Sequence, residues 1–162
     1  CYASDELKAD LEVVMAAVQS NGQDLEYASE ALKADRGIVM AAVRSKYGGY
    51  HSVLRWASEE LKADREIVMA AIAAAGEGNS RDSHSRDALK WVSGELRGDR
   101  AVVTAAVAMS GVLLQWASEE LRGNREVVLT AVGQNGLALQ FASEELRLEL
   151  GADLDEDGPA SS

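Results

Sequence analysis

Val112–Gly136 reads VLLQWASEELRGNREVVLTAVGQNG, and the rest of the chain is a set of variations on it. Residues 25–43 give LEYASEALKADRGIVMAAV, residues 54–72 LRWASEELKADREIVMAAI, and residues 89–107 LKWVSGELRGDRAVVTAAV. Self-similarity at a fixed short period marks a repeat architecture, in which each unit buries its apolar face against its neighbours. The aromatic residue sets the register at Tyr2, Tyr27, Trp56, Trp91, Trp116 and Phe141, with spacings of 25, 29, 35, 25 and 25. A 25-residue unit has therefore gained four residues after Val43 and ten after Ile72. The insertions occupy residues 46–52 (KYGGYHS) and 76–86 (GEGNSRDSHSR), both at the same joint of the unit and both rich in Gly and Ser.

Each unit reads as two short helices. In the first, Leu89, Val92, Ser93 and Leu96 share one angular sector at the helical period and form an apolar stripe. Trp91 points away from that stripe, toward an adjoining repeat, in a ladder with Trp56 and Trp116. The serine at Ser29, Ser58, Ser93, Ser118 and Ser143 falls on the buried side, where it is expected to bond its own helix's carbonyl four residues back. Nucleophilic catalysis would require a base beside it, and no histidine recurs with the repeat, so no catalytic residue is expected.

The second helix is expected to start at Asp10, Asp35, Asp64, Asp99 and Asn124, residue types that cap exposed amide groups. The body that follows, such as REIVMAAI at 65–72, is apolar around most of its circumference and belongs in the core. Gly22, Gly111 and Gly136 fall where a helix-terminating glycine is expected. Arg36, Arg65, Arg100 and Arg125 sit at the first helical position, where the helix dipole opposes a cation. They are expected to reach carboxylates of the first helices, such as Glu60 or Glu120.

These readings give an all-α fold, an α-solenoid of about five 25-residue two-helix repeats plus a terminal capping helix. Its single domain spans 1–150, followed by an acidic tail at 151–162. The signature L-x-W/Y-A-S-E-E-L-K/R-A-D-R-E-V-V-x-A-A-V resembles the tandem repeats of the domain of unknown function (DUF) 4116. The resemblance covers residues 1 to about 150 and implies helical repeats, found in bacterial and algal proteins, with no established activity to carry over. The departures are the two insertions, the missing first leucine and the unpaired last helix.

Composition narrows the function. At 162 residues with 47% hydrophobic and 27% charged residues, the chain fits a soluble globular protein. It carries no apolar run of the roughly 20 residues that a membrane-spanning helix needs. A net charge of −11 argues against a nucleic-acid partner, which is held by neutralising phosphates. The lone Cys1 cannot form an internal disulfide. Tyr2-Ala3-Ser4 already lies inside a repeat, so the N-terminus is expected to be a processed or truncated end.

The insertions hold both histidines. Tyr47, Tyr50 and His51 in the first, with Arg81, His84 and Arg86 in the second, are the candidate partner-binding residues, since loops leaving one edge of a repeat scaffold often carry recognition. No ligand spacing supports a metal there. In the tail, Asp153, Asp155 and Asp157 match the first half of a calcium loop, D-x-D-x-D-G, whose second half fails at Pro159. The expected function is a non-enzymatic protein–protein interaction scaffold or an accessory subunit of a large multi-subunit complex, with no cofactor. A calcium-responsive regulatory protein is the alternative from another class. The algal side of the resemblance adds a plastid-imported accessory subunit of a membrane (photosynthetic) complex.

Overall fold

A computed structural model describes residues 4–45, 50–77 and 89–156, apart from the side chains of residues 5, 50–52, 75–77 and 152–156. The described residues are helical, with no strand. The repeat is finer than a pair of helices, because a full copy has three pieces. The fifth repeat shows them clearly: a 3-10 segment at Gly111–Trp116, a one-turn helix α9 (Glu119–Arg122) and a main helix α10 (Arg125–Gln134). The second repeat has the 3-10 segment Gly22–Tyr27, α3 (Glu30–Lys33) and α4 (Arg36–Val43). The first repeat supplies α1 (Asp5–Ala9) and α2 (Leu11–Ser20). In the third, an α-helix α5 (Tyr50–Trp56) stands where the others have a 3-10 segment, followed by α6 (Glu59–Lys62) and α7 (Arg65–Glu77). The fourth passes through turns at 89–95 and a 3-10 turn at Leu96–Gly98 into α8 (Arg100–Met109). The last has the segment Gly136–Phe141 and a long helix α11 (Glu144–Glu156).

The expected continuous first helix is thus broken at the Ala-Ser pair, and the serine has another role. Ala117 and Ser118 are extended (φ −68, ψ 158 and φ −60, ψ 157), and the Ser118 hydroxyl accepts the Leu121 N–H at 3.3 Å as an N-cap. Ser4, Ser29, Ser58, Ser93 and Ser143 do the same for Leu7, Leu32, Leu61, Leu96 and Leu146. None bonds a carbonyl of a preceding helical turn. An extended serine frees its own N–H, which donates backward to the preceding repeat: Ser29 to the Lys8 carbonyl, Ser58 to Lys33, Ser93 to Lys62, Ser118 to Arg97 and Ser143 to Arg122, all at 2.8–3.1 Å. Every described joint carries this bond.

The second set of caps is where the sequence places it. Asp10, Asp35, Asp99 and Asn124 accept N–H bonds from the first turn of α2, α4, α8 and α10, and Asp64 accepts from Glu66 and Ile67 at the start of α7. The main helices bury Val14 and Val18, Ile38 through Val43 in alternating pairs, and Val102, Val103, Ala106 and Val107. Main helices of consecutive repeats pack on each other, α2 on α4 and α4 on α7, and separately α8 on α10. The chain divides into two compact units, Cys1–Leu96 and Arg97–Ser162, with the boundary inside the fourth repeat. No helix among the described residues is long and apolar enough to cross a membrane.

The glycines are not helix terminators. No described residue has a positive φ, and Gly22 and Gly111 open 3-10 segments behind the extended caps Asn21 and Ser110. They are needed for close approach. A Cβ on Gly22 would lie 2.2 Å from the Ala42 carbonyl oxygen, and one on Gly111 would lie 2.2 Å from that of Ala131. The freed amides are satisfied nearby, Gly22 N–H by the buried Ser45 hydroxyl at 2.8 Å and Gly111 N–H by Gln134 Oε1 at 2.6 Å.

Arg36 and Arg100 reach the start of the next main helix, and Arg125 reaches α11, rather than Glu60 or Glu120. Arg36 bonds Asp64 at 3.0 Å and Glu66, Arg100 bonds Glu126, and Arg125 bonds Glu149. In the Arg36 and Arg100 pairs a cation at one helix start is thereby set beside acids at the start of the following helix, where the dipole favours them. Burial pushes the Asp64 carboxyl up, but the amides of Ile67 and Glu66 and the Arg36 guanidinium outweigh it and hold the group below its ordinary value.

Three tests follow from this architecture. Ser118→Ala is expected to cost about 1 kcal/mol, the loss of a cap. Ser118→Pro fits the observed φ of −60 but removes the N–H to Arg97, so it is expected to cost a further 1–3 kcal/mol or so in urea unfolding. Equal losses would show that the backward bond contributes nothing. Gly111→Ala is expected to lower stability by about 1–3 kcal/mol or more through the carbonyl it meets, while Gly136→Ala, facing open space, leaves the melting temperature unchanged. Asp64→Asn retains a capping side chain and deletes the charge. Because the folded carboxyl titrates below its unfolded value, the stabilisation it supplies is complete at neutral pH and disappears as pH falls below about 4. The stability gap between wild type and Asp64→Asn should therefore be constant from about pH 7 to 5 and narrow progressively as pH falls below about 4; a gap that does not narrow there would refute the assignment.

Candidate functional site

The third repeat differs from the others in the element that carries its aromatic residue. α5 turns Val53 and Leu54 fully inward, which leaves Arg55 on the exposed side and Trp56 half-buried at the end of the helix. The Arg55 guanidinium lies 4.7 Å from the centroid of the Trp56 ring and 5.6 Å from that of Trp91, so one cation bridges two indoles of consecutive repeats. Lys33 Nζ lies 5.9 Å from the Trp56 centroid, and Lys90 Nζ lies 5.2 Å from that of Trp91. Lys33 is also held by Glu30 at 2.8 Å. The negative ring faces account for the gathering of three cations around two tryptophans. The expected ladder of Trp56 and Trp91 is thus interleaved with charge, and both rings remain partly open to solvent.

This patch stands where the insertions join the scaffold. The first insertion, 46–52, runs into α5; its Tyr50 and His51 form the start of that helix, with side chains outside the described residues. The second, 76–86, leaves the end of α7 and rejoins the described chain two residues before Trp91, at Leu89. Tyr47, Arg81, His84 and Arg86 lie outside the described residues, as does Asp157. Asp153 and Asp155 fall within α11, which runs to Glu156, and their side chains lie outside the described residues.

Sequence reasoning on the loops passed over Arg55, Lys90 and Lys33. A signal was present. The residue before the aromatic is Arg55 and Lys90 in the two repeats that follow an insertion, but Cys1, Glu26, Gln115 and Gln140 in the others. The basic substitution therefore travels with the insertion. Chemically, the arrangement offers flat apolar rings with cations over them, which suits docking of acidic or aromatic side chains; it contains no nucleophile paired with a base.

No curated protein and no solved structure matches the chain. A family model described as Domain of unknown function (DUF4116) matches residues 1–33, 10–50, 35–97 and 99–147, overlapping segments that tile the repeats. The tandem caps, joints and main helices described above are the structural form of that tiling, and the chain belongs to the DUF4116 family.

Proposed function

We propose that this protein is a non-enzymatic interaction scaffold that docks a protein partner on the edge formed by its third and fourth repeats. The observation that carries the reading is the Arg55 bridge between Trp56 and Trp91 at the points where both insertions join. Tryptophan and arginine dominate binding hot spots because they combine large apolar area with directional polar contact. The insertions that flank that centre in sequence carry Tyr47, Tyr50, His51, Arg81, His84 and Arg86, the further candidate contacts. The local cluster of Lys33, Arg55 and Lys90 in an otherwise acidic chain favours acidic side chains on the partner. An accessory subunit of a larger assembly, in a plastid or elsewhere, is the form such a scaffold takes when its partner is itself multi-subunit.

The test is cross-linking mass spectrometry in native extract, using Lys46, Lys33 and Lys90 as reporters, on wild type, Arg55→Ala and Trp91→Ala. One dominant partner is expected to cross-link to the wild type through these lysines. Either truncation should weaken its affinity by about 2 kcal/mol, roughly thirtyfold in Kd. Arg55 is exposed, so Arg55→Ala should keep its fold, with a stability loss of about 0.5–1 kcal/mol from the ring contacts. A partner bound equally well by both variants, or no partner at all, would sink the reading.

A further inference from the structure

The arginine at the docking edge is held differently from those at the main-helix starts. Arg36, Arg100 and Arg125 are each held by carboxylates. Arg55 is held by rings instead, 4.7 Å from the Trp56 centroid and 5.6 Å from that of Trp91. Among the described residues no carboxylate takes its guanidinium, and the residue is exposed. Its neighbour Lys33 is already taken, by Glu30 at 2.8 Å. A guanidinium anchored by aromatic contacts keeps its planar fork of N–H donors for a carboxylate, and loses less freedom on binding one.

Acids border the same edge. Glu30, its side chain 91% exposed, stands beside Lys33. Glu59, 88% exposed, opens α6 three residues after Trp56, and the exposed Glu95 follows Trp91 by four. The chain as a whole carries −11. Screening at physiological salt acts over about 8 Å. One carboxylate brought against Arg55 therefore interacts chiefly with that guanidinium, whereas a run of negative charge extends to Glu30, Glu59 and Glu95 and is repelled. The half-buried indoles of Trp56 and Trp91 meanwhile offer apolar surface next to the cation.

We infer that this edge selects a peptide segment with one carboxylate side chain flanked by apolar or aromatic residues, and that the bordering acids exclude acidic tracts. The carboxylate takes the Arg55 fork, and the flanking side chains cover Trp56 and Trp91. The inference rests on the docking role proposed above and narrows it to one class of partner segment. Arg55 sets the specificity, since a lysine would supply the charge without the fork. The fifth and last repeats carry no cation at the equivalent position, where Gln115 and Gln140 stand before their aromatics.

The test is fluorescence anisotropy of dye-labelled peptides on the full chain. The probes are Ser-Leu-Phe-Glu-Leu-Phe-Ser, the same peptide with Gln in place of Glu, and hexaglutamate. The Glu peptide is expected to saturate, and the Gln peptide to bind about tenfold more weakly. Hexaglutamate should bind more weakly than the Glu peptide. Arg55→Lys should lose about tenfold in affinity for the Glu peptide. The double variant Glu30→Gln/Glu59→Gln, at two exposed positions, should gain at least about fivefold more for hexaglutamate than for the Glu peptide. Equal binding of the Glu and Gln peptides, hexaglutamate as the tightest ligand, or no binding of the Glu peptide at millimolar concentration would overturn the inference. The docking role fails separately. A natural partner that cross-links equally to wild type and Arg55→Ala removes the role itself. One that is lost by Arg55→Ala but kept by Arg55→Lys leaves the role standing and removes only the carboxylate selectivity.

Discussion

The backward hydrogen bond from each serine N–H to the carbonyl of the preceding repeat is the contact on which the other features of the fold depend. α3, α6 and α9 are four-residue helices, far below the length at which a helix persists alone, since a single turn fixes several dihedrals for very few bonds. Each exists because both of its ends are tied. The serine hydroxyl closes its start, and at its finish the carbonyl of Lys33, Lys62 or Arg122 is taken by the serine of the next repeat. One residue type thus caps its own turn with its side chain and secures its predecessor with its backbone. Stability built this way passes between nearest neighbours, as expected of a repeat array.

The charge pattern repeats the same logic on the main helices. An arginine at a helix start is unfavourable in isolation, and the structure offsets it with an acid from the following helix start, Glu66 for Arg36 and Glu126 for Arg100. These pairs are exposed and individually contribute little. Their value is in register: the helix starts of adjacent repeats must lie side by side for the pairs to form. The buried residues of the same helices, Ile38 with Ala42 and Val127 with Ala131, set the same alignment from the apolar side.

Much of this was legible in the chain. The period, the placement of the insertions and the Asp/Asn caps follow from residue types at fixed offsets, and Asp10, Asp35, Asp64, Asp99 and Asn124 all cap as read. The serine was misread because a helical stripe through Leu89, Val92 and Leu96 is unchanged whether the helix is continuous or broken between Val92 and Ser93. Gly22 and Gly111 were misread because a glycine after a helix looks the same in sequence whether it serves a left-handed turn or a carbonyl 2.2 Å from its missing Cβ. The arginine partners were misread for a related reason: Glu66 and Glu120 are equally exposed acids, and only the folded joint distinguishes them. At the candidate site the insertions were visible, whereas the Arg55 bridge depends on Trp91 coming back beside Trp56, a tertiary fact.

Where the repeats vary is itself a consequence of how they are joined. Both insertions fall between a main helix and the next aromatic segment, and neither interrupts the stretch from aromatic to serine to main helix. Both insertions lie inside a span that a serine bond closes, Lys33 to Ser58 and Lys62 to Ser93, and the bond forms at 3.1 Å in each, so this joint holds whatever the length of chain between the main helix and the next aromatic segment. The other joint is held by a glycine amide on a side chain, Ser45 or Gln134, and by packing, which a different element can replace. α5 is such a replacement, an α-helix in the place of a 3-10 segment, still burying Val53 and Leu54 and still presenting its aromatic. Freedom to change and fixed attachment therefore meet at one edge. A basic residue stands before the aromatic only in the repeats that use that freedom, which sets Arg55 and Lys90 apart from their counterparts Gln115 and Gln140.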